Sequence, residues 1–299
     1  MKKYLAPTLS IMLAIALPIL GGCSSDADRS DDTRTSPGVV DGSLQGVRVS
    51  VVDVGKGDCI LVQVGGRAAL IDTGYDSTSS EVVSYLREQG VERLDWLVIT
   101  HYDRDHVGGI WAVGKAFDID AVYLPGYKGA DKQYRTAMAD IDAIGYPAQP
   151  VTRETAFGFE GAQVTILPTS LSYIPNANGN EGNDNDLSLV VELTFGEDSY
   201  LFAGDLEEEG IDAYLDGEPG HYDVLKVPHH GEKAANTDEL LTKVEPEIAI
   251  ITDSAEDPAD KKTLKLLKKA EADTYRTSEC GTVVVESTGT GSYSVSAAE

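Results

Sequence analysis

Short apolar runs separated by glycine-containing turns extend along most of the chain, and their spacing predicts the secondary structure. Runs rich in valine and isoleucine predict strands, whereas apolar residues three or four positions apart predict helices. The predicted strands are Val47–Val54, Ile60–Val64, Ala68–Ile71, Leu94–Ile99, Ala121–Leu124, Gln163–Leu167, Leu187–Leu193, Ser199–Phe202, Asp223–Val227, Ile248–Thr252, one near Tyr275, Thr282–Glu286 and Ser292–Val295. The predicted helices are Ser79–Glu88, Gly109–Lys115, Lys132–Ile144, Glu207–Leu215, Asp238–Val244 and Lys261–Ala270. Each half of the chain contains both kinds of element with no linker between the halves. This predicts an α/β (α+β) fold, a single domain with two sheets and outer helices.

A separate pattern occupies the amino terminus. Lys2-Lys3 precede an apolar run over 5–20, and Gly21-Gly22-Cys23 follow it. A basic start, a short apolar run and small residues are typical of a secretory signal, and Leu-Gly-Gly-Cys is similar to a bacterial lipobox with a lipid on Cys23. We therefore predict a signal peptide over residues 1–22, a flexible polar tether over 23–45 and a folded domain over 46–299. A plain signal peptide or an uncleaved anchor is the alternative. Each version places the domain outside the cytoplasm, lipid-anchored to the cell membrane or secreted.

Composition and charge limit the partners. The chain of 299 residues, 41% hydrophobic and 25% charged, is long enough to bury a sizeable core. With 50 acidic against 24 basic residues, its net charge is −26. A field this negative opposes long nucleic acid, because that binding depends on lysine and arginine at phosphates. A polyanionic substrate would need a local basic groove.

Two cysteines remain besides Cys23. Cys59 and Cys280 each flank a predicted strand. In an oxidising compartment such a pair can form a disulfide, and the alternative is two small buried thiols. Their spacing argues against a thiolate zinc site.

The segment Thr100–Gly109 carries the strongest chemical signal. Its sequence THYDRDHVGG places two imidazoles and two carboxylates directly after a predicted buried strand. Other ligand-type side chains also follow predicted strand ends, namely Asp72, Asp205 and the pair His229-His230. Ligands from several strand ends can converge at one sheet edge, where loops are free to hold a metal. Carboxylate and imidazole together suit Zn²⁺, Mn²⁺ or Fe, and two neighbouring ions would need about six side chains with one bridging carboxylate.

These motifs, in their order along the chain, resemble the metallo-β-lactamase fold. More narrowly, they are similar to the domain at the end of the ComEC-type DNA-uptake (competence) channel proteins of bacteria and its free-standing relatives. The segments that carry the resemblance are Val54–Asp58 with Ile71–Gly74, His101–Gly109, Asn185–Leu189 with Leu201–Asp205, Leu225–Gly231, and Tyr275–Thr277 with Gly281–Val283. The resemblance covers about Gly46 to Glu299, and its motifs are jointly specific.

The resemblance implies a four-layered αββα sandwich with one or two divalent ions, Zn or Mn, between the two sheet edges. Transferred by position, the implied ligands are His101 and Asp103 for a first ion, Asp105, His106 and one of His229 or His230 for a second, and Asp205 as the bridge. We take His229 as the ligand of that pair, with His230 as the alternative. The ion would lower the pKa of bound water towards ~7. Asp105 would orient the resulting hydroxide or accept its proton.

The chain departs from the wider fold in two places. The usual second imidazole of the motif is replaced by Asp103, a variant familiar in the ComEC-like branch and a harder ligand that favours Mn²⁺ somewhat. The middle histidine of the wider fold has no counterpart, since the ligand types in 183–188 are carboxylates, amides and a hydroxyl. Either Asp184 or Asp186 replaces it, or the first position is empty and a single metal remains. The Asp105-His106 half is therefore the one expected to hold the metal that does the chemistry.

Four further residues near these motifs have two interpretations each. Asp58 and Asp72 are expected to hydrogen-bond a ligand histidine or cap backbone amides, with direct metal contact as the alternative. Lys226 is expected to pack its stem along its strand, with binding of an anionic substrate as the alternative. Ser188 is expected to support the ligand loop, with a substrate contact as the alternative.

Together these features predict a metallo-hydrolase that uses a metal-activated water. We expect a phosphodiester substrate, small or linked to the cell envelope, such as a choline- or glycerol-phosphate decoration. Nucleic acid is the substrate that the DNA-uptake relatives imply, but the acidic charge disfavours it. The alternatives are a lactone, ester or amide hydrolase of the same fold, and a non-catalytic metal-binding protein of the envelope.

Overall fold

Two mixed β-sheets pack face to face at the centre of the molecule, and helices cover the outer face of each. The computed structural model describes residues 45–130, 132–174 and 182–298. The strands are β1 Val47–Val51, β2 Ile60–Val64, β3 Arg67–Ile71, β4 Arg93–Leu94, β5 Leu97–Val98, β6 Asp118–Ile119, β7 Val122–Pro125, β8 Ala148–Val151, β9 Thr155–Phe159, β10 Ala162–Leu167, β11 Val190–Phe195, β12 Asp198–Phe202, β13 Val224–Lys226, β14 Ile248–Ile251, β15 Asp273–Arg276, β16 Thr282–Ser287 and β17 Tyr293–Ala298. The α-helices are α1 Ser79–Glu88, α2 Arg104–Val107, α3 Ile110–Ala116, α4 Lys132–Ile144, α5 Glu208–Leu215, α6 Thr237–Val244, α7 Lys261–Lys269 and α8 Thr277–Cys280.

Each sheet changes from antiparallel to parallel pairing near its middle. The first sheet has the order β17-β16-β1-β2-β3-β5-β7-β8 and is antiparallel as far as β3, then parallel. The second has the order β15-β14-β13-β12-β11-β10-β9 and is parallel from β15 to β12, then antiparallel. Parallel neighbours end at the same edge of a sheet. The loops after β3 and β5, and those after β12 and β13, therefore begin at one edge of each sheet.

Three apolar clusters confirm the predicted αββα sandwich. The central cluster joins the facing sides of the two sheets, with valines of β1 and β2 against β10, β11 and β12. A second cluster packs α1, α3 and α4 on the first sheet. The third packs α5, α6 and α7 on the second sheet. Burial of alternating valine, isoleucine and leucine side chains on both faces explains why these strands are nearly continuous apolar runs.

Most predicted elements are present, and two of the predicted strands differ for identifiable reasons. The predicted strand Leu94–Ile99 is divided into β4 and β5, because Asp95 turns aside to form an ion pair with Arg67. The predicted strand Leu187–Leu193 begins only at Val190, since the segment Asn185–Leu187 forms a 3₁₀ turn. Strands β8 and β9 were not predicted. They are sheet edges with several exposed residues, so they lack the apolar alternation of a buried strand.

The expectations about the cysteine pair and about the amino terminus have different outcomes. Cys59 is a free, buried thiol, so the alternative of a Cys59–Cys280 disulfide was wrong. The predicted signal peptide, the lipid site at Cys23 and nearly all of the tether lie outside the described residues and stay predictions. Within the described ranges, no helix has the length and apolar character needed to span a membrane.

Candidate metal centre

The ligand-type residues converge where the ends of the parallel strands of both sheets meet. Asp105 and His106 lie on the single turn of α2, which begins after the extended residue Asp103. The Gly108-Gly109 pair that follows has no room for a side chain. A Cβ on Gly109 would lie 2.3 Å from the Thr73 carbonyl oxygen. The loop after β5 is thereby pressed against the loop after β3, which brings His106 to Asp72.

Four side chains form a tight cluster in this region: Asp105, His106, Asp205 and His230. The Nε2 atoms of His106 and His230 are 3.4 Å apart. Both face Asp205 Oδ2, at 3.1 Å from His106 and 3.0 Å from His230. Asp105 Oδ2 lies 3.3 Å from His230 Nε2 and 3.9 Å from His106 Nε2. His106, Asp205 and His230 are buried, whereas the Asp105 side chain is 21% exposed and marks the open side.

These separations match the ligand shell of a small divalent ion. Zinc–ligand bonds of about 2.0–2.1 Å in a tetrahedron place ligand atoms about 3.3 Å from one another. The five distances given above lie between 3.0 and 3.9 Å, and all four ligand atoms lie within 4.8 Å of one another. Two imidazoles and two carboxylates are a donor set suited to Zn²⁺, Mn²⁺ or Fe. The residues present therefore fit a metal ion, with Asp105, His106, Asp205 and His230 as the ligands.

Each imidazole is held by a partner on its Nδ1 side, which leaves Nε2 directed inward. His106 Nδ1 lies 2.7 Å from Asp72 Oδ2, and Asp72 in turn accepts hydrogen bonds from the Thr100 amide and hydroxyl. His230 Nδ1 lies 2.9 Å from the Thr252 hydroxyl. Hydrogen bonds of this kind fix the tautomer and ring orientation of metal-binding histidines. Thr100 and Thr252 were not predicted, and a polar residue directly after an apolar strand was the only signal for them.

Lys226 and Asp58 form a buried ion pair behind the cluster. Lys226 Nζ lies 2.6 Å from Asp58 Oδ2, and each side chain is 1% exposed. Asp58 Oδ1 also accepts a hydrogen bond from Thr252, the partner of His230. Lys226 Nζ lies 3.6 Å from Asp205 Oδ1. The buried ammonium thus offsets carboxylate charge behind the cluster and is not open to a substrate.

The pKa values show how strongly the carboxylates charge this region. Burial lowers the pKa of His106 and His230, but the carboxylates of Asp205 and Asp105 outweigh it and raise both, that of His230 to about 9. Burial raises the pKa of Asp205, but the charges of His106, His230 and Lys226 hold it well below its usual value. Without a metal, the two imidazoles therefore carry protons that neutralise the acids. A divalent ion would replace those protons, because an imidazole must lose its proton to bind a metal through Nε2.

A second group lies beside the first and consists of His101, Asp103 and Asp184. His101 is completely buried, and its Nε2 has no hydrogen-bond partner in the described part of the chain. The nearest carboxylate to that atom is Asp103 Oδ2, at 3.8 Å. Burial and, next, the neighbouring carboxylate of Asp184 together raise the pKa of Asp103 to about 8. The unpartnered imidazole nitrogen of His101 and the Asp103 carboxylate 3.8 Å from it are two donor groups that suit a second cation.

Three further predicted residues, His229, Asp186 and Ser188, lie outside the four-residue cluster and have different partners. His229 lies apart from the cluster, with Nδ1 3.3 Å from Glu207 and Nε2 3.4 Å from the Asn185 amide. Asp186 accepts hydrogen bonds from the amides of Glu207 and Gly210 at the start of α5. Ser188 is buried, 3.3 Å from His101 Nδ1, and accepts a hydrogen bond from the Asp205 amide. Of the alternatives His229 or His230, it is His230 that approaches a cation position. Of Asp184 or Asp186, it is Asp184.

Left-handed backbone occurs at three of these residues. Asp72 has φ 58°, His229 has φ 47° and His230 has φ 53°. Residues with a Cβ pay an energetic cost in this region, and such residues concentrate at functional sites. Consecutive left-handed residues also rotate the two imidazoles away from each other. His230 consequently faces the cluster and His229 faces the rim.

Comparison with known proteins agrees with this arrangement. The model of the metallo-beta-lactamase superfamily matches residues 52–251. This chain belongs to the metallo-beta-lactamase superfamily. Its members are usually hydrolases, and the cluster described above has the donor set of a metal site. The resemblance predicted from the sequence is confirmed at the level of the family.

Sequence relatives are competence and recombination proteins. ComE operon protein 3 of Bacillus subtilis is 29% identical over 259 residues, which are 79% of this chain and 32% of that protein. Recombination protein 2 of Haemophilus influenzae is 29% identical, covering 71% of this chain and 25% of that protein. Competence protein ComA of Neisseria gonorrhoeae is 30% identical, covering 68% of this chain and 26% of that protein. The chain thus spans only a quarter to a third of the length of these relatives.

Solved structures share the fold alone. Zn²⁺-bound PqqB from Methylobacterium extorquens superposes with a TM-score of 0.52 at 12% identity, covering 76% of this chain and 97% of that one. CmlA, a diiron β-hydroxylase from Streptomyces venezuelae, gives 0.53 at 15% identity, covering 77% of this chain and 52% of that one. One of these structures is zinc-bound and the other is a diiron protein, so the fold by itself identifies neither the metal nor a substrate.

Replacing Asp72 by Asn is expected to weaken metal binding about 10- to 100-fold, the usual cost of losing a hydrogen-bond partner of a metal-binding histidine. The carboxylate on His106 Nδ1 makes the ring a stronger ligand, and the neutral amide does not. Affinity is measured by competition with a coloured chelator. Asp76→Asn, an exposed change in the same loop, is the control. Equal affinities for the two variants would contradict the role given to Asp72.

Proposed function

We propose that this protein is a metal-dependent phosphodiesterase with its metal held by Asp105, His106, Asp205 and His230. The observation that supports it is the convergence of four ligand atoms at separations suited to one small divalent ion. His101, Asp103 and Asp184 are proposed as ligands of an additional ion, for which Asp205 would be the shared carboxylate. Zn²⁺ and Mn²⁺ are the candidate metals, because both accept mixed imidazole and carboxylate ligands.

A divalent ion held by these residues would supply Lewis acidity and would lower the pKa of its bound water to about 7. The residues of the chain supply orientation and proton handling. Asp72 and Thr252 fix the two inner imidazoles. Asp105 stands on the open side with a carboxylate that is ionised at neutral pH, since His106 holds its pKa near 2 despite burial. A carboxylate in that place can orient a nucleophilic water and accept its proton.

A phosphodiester substrate is supported by the relatives. Competence and recombination are processes of DNA, whose backbone is a phosphodiester, and proteins named for both are similar to this chain. The net charge of −26 opposes long duplexes and favours short, single-stranded or envelope-linked diesters. The lipid anchor at Cys23 and a position outside the cytoplasm belong to the same proposal and depend on the amino-terminal sequence pattern. Such a tether would keep the enzyme beside envelope phosphodiesters.

A substrate panel tests the proposal. The metal-loaded protein is expected to hydrolyse bis(p-nitrophenyl) phosphate and at least one of single-stranded DNA or a phosphorylcholine ester. Hydrolysis of a lactone, ester or amide without hydrolysis of any phosphodiester would show that the protein is a hydrolase of the same fold with a carbonyl substrate. A protein that binds metal and turns over none of these compounds would be a non-catalytic metal-binding protein. Asp105→Asn, which keeps the shape of the side chain, is expected to lower the rate by about 100-fold or more if Asp105 handles the proton.

A further inference from the structure

A cavity of about 360 Å³ lies at the edge of the sandwich that carries the ligands. Its walls come from the residues that follow β7 and β10, from the end of β8 and from the residues that precede β11. Strands β7 and β8 continue the parallel pairing of β5, and β11 is antiparallel to both β12 and β10, so all of these ends meet at one edge. We call this space the tyrosine cavity, because Tyr127 and Tyr173 form part of its wall.

One wall of the tyrosine cavity is joined to the His101 side of the metal centre. Tyr102 lies between His101 and Asp103, and its hydroxyl donates a hydrogen bond to the Pro125 carbonyl at 3.0 Å. The ring of Tyr102 contacts that of Tyr127 edge to face, with centroids 5.2 Å apart. A single residue thus connects two proposed metal ligands to the wall of the cavity.

The opposite wall is joined to Asp184, the other proposed ligand on that side. The side chain of Asn183 accepts a hydrogen bond from the Ile174 amide at 2.8 Å and donates one to the Ser172 carbonyl at 3.3 Å. These two bonds hold the segment that contains Tyr173 against the residue before Asp184. Both walls are therefore anchored to the segments that carry the second group of ligands.

The distance from the second cation position to the tyrosine cavity is short. The walls stand one or two strands beyond the ligand-bearing strands β5 and β12 in each sheet, which corresponds to roughly 5–10 Å. Burial and, next, the nearby carboxylate of Asp184 raise the pKa of the Tyr127 hydroxyl, which agrees with a short separation. A phosphate ester spans a comparable length from its phosphorus atom to a ring in its alcohol group.

The tyrosine cavity offers an aromatic surface to a ligand. The rings of Tyr127 and Tyr173 are stacked, with planes 10° apart and centroids separated by 5.4 Å. Tyr173 is only half-buried, so part of its ring is accessible. Aromatic side chains bind flat rings by stacking, whatever the substituents of the ring. The pair can therefore be extended by one more ring from a ligand.

The rest of the lining suits a ring attached to an anionic group. None of the described residues that line the tyrosine cavity is acidic, in a chain where acids outnumber bases 50 to 24. The groove between α6 and α7, by contrast, has Asp238 and Glu245 in its wall. The lining combines apolar Leu187 and Leu189 with the hydroxyl-bearing residue Thr152, and ligand pockets commonly join an apolar surface to a few polar groups.

We propose that the tyrosine cavity binds a flat ring of the substrate, next to the phosphate that reacts at the metal centre. The substrate class is then a phosphodiester with an aryl or heteroaromatic ring in one of its alcohol groups. A nucleobase is one source of such a ring, and a simple aryl ester is another. This inference rests on the proposed function and narrows its substrates, since glycerol- and choline-phosphate esters have no ring to fill the cavity.

Binding of three phosphate monoesters tests the tyrosine cavity separately from catalysis. Full-length, metal-loaded protein is titrated in a calorimeter with thymidine 5′-phosphate, phenyl phosphate and glycerol 3-phosphate, which share the phosphate and differ in the ring. Tyr173→Leu removes the aromatic ring of the wall, and Tyr173→Phe keeps it. The matched control is Tyr146→Leu, another half-buried tyrosine, which precedes β8 and therefore lies at the opposite edge of the sheet. Metal content and thermal unfolding are recorded for each variant.

Wild type is expected to bind at least one ring-bearing ester about tenfold or more tightly than glycerol 3-phosphate, because stacking on an aromatic side chain contributes that much. Tyr173→Phe and Tyr146→Leu should keep this preference. Tyr173→Leu should reduce it to less than about threefold, with unchanged affinity for glycerol 3-phosphate and unchanged metal content. Tight binding of both ring-bearing esters would assign the cavity to flat rings in general, and tight binding of one alone would identify a nucleobase or a simple aryl group as its ligand.

Equal binding of the three esters by wild type, or binding of none, would overturn the proposal. So would a preference that survives in Tyr173→Leu, or one that is lost equally in Tyr146→Leu. Failure of wild type to hydrolyse bis(p-nitrophenyl) phosphate would instead defeat the proposed phosphodiesterase, while the binding preference would still decide the role of the tyrosine cavity.

Discussion

Changing His230 to Ala is expected to abolish metal binding and to reduce hydrolysis of bis(p-nitrophenyl) phosphate by more than about 100-fold. We expect a loss this large because His230 is itself a proposed ligand. Removing a residue that only hydrogen-bonds a ligand already lowers metal affinity or activity about 10- to 100-fold. Its Nε2 lies 3.0 Å from Asp205 and 3.4 Å from the Nε2 of His106. Removal leaves two carboxylates and one imidazole, and the remaining acids are no longer held together by a shared cation.

His229→Ala is the matched control for that experiment. The two histidines are adjacent, both have left-handed backbone, and alanine imposes the same conformational demand at each. His229 contacts Glu207 and Asn185 at the rim and lies outside the cluster. Elemental analysis of the purified variants should therefore find metal in His229→Ala and none in His230→Ala. The opposite result would make His229 the ligand, as the sequence alone suggested, and would refute the geometry described here.

Replacing Lys226 by Met is expected to lower the free energy of unfolding by about 3–5 kcal/mol, the usual cost of leaving one member of a buried ion pair uncompensated. Methionine keeps the length and apolar stem of lysine, so little packing is lost. The loss comes from Asp58, which is 1% exposed and would lose the ammonium 2.6 Å from its Oδ2, leaving only the more distant imidazoles to offset its charge. Urea unfolding in the presence of a chelator measures the effect without a contribution from metal.

Two further variants separate charge from packing at this position. Arg93→Met removes a cation from an exposed pair with Asp120, and such pairs contribute about 0–1 kcal/mol. Adding Asp58→Asn to Lys226→Met should recover part of the stability, because the uncompensated charge is then gone. A Lys226→Met variant no less stable than Arg93→Met would show that the buried pair does not hold this region together.

Much of the fold could be predicted from the sequence because its core elements carry strong periodic patterns. The bounds of α1 and α4 match the predicted helices, and β2 matches its predicted strand. The edge strand β8 could not be found in this way, since three of its four residues are exposed and one is Pro150. The division of Leu94–Ile99 depended on a tertiary ion pair of Asp95 with Arg67, which no local pattern shows.

The candidate site shows the same division between local and tertiary information. Strand-end positions were enough to point to Asp105, His106 and Asp205. The choice between His229 and His230 depended on left-handed backbone angles. The choice between Asp184 and Asp186 depended on the hydrogen bonds that Asp186 accepts from backbone amides at the start of α5. Thr252 and the pairing of Lys226 with Asp58 join segments far apart in the chain. These partners follow from how the two sheets meet, so they required the structure.

The most direct test of a metal-dependent phosphodiesterase is a metal titration. Full-length protein stripped with a chelator receives increasing equivalents of Mn²⁺ or Zn²⁺ while hydrolysis of bis(p-nitrophenyl) phosphate is recorded. We expect no turnover in the stripped protein and a rate that rises with the first equivalent of ion, in wild type but not in His230→Ala. Hydrolysis at full rate without metal, or stoichiometric metal binding with no diester hydrolysis, would contradict the account.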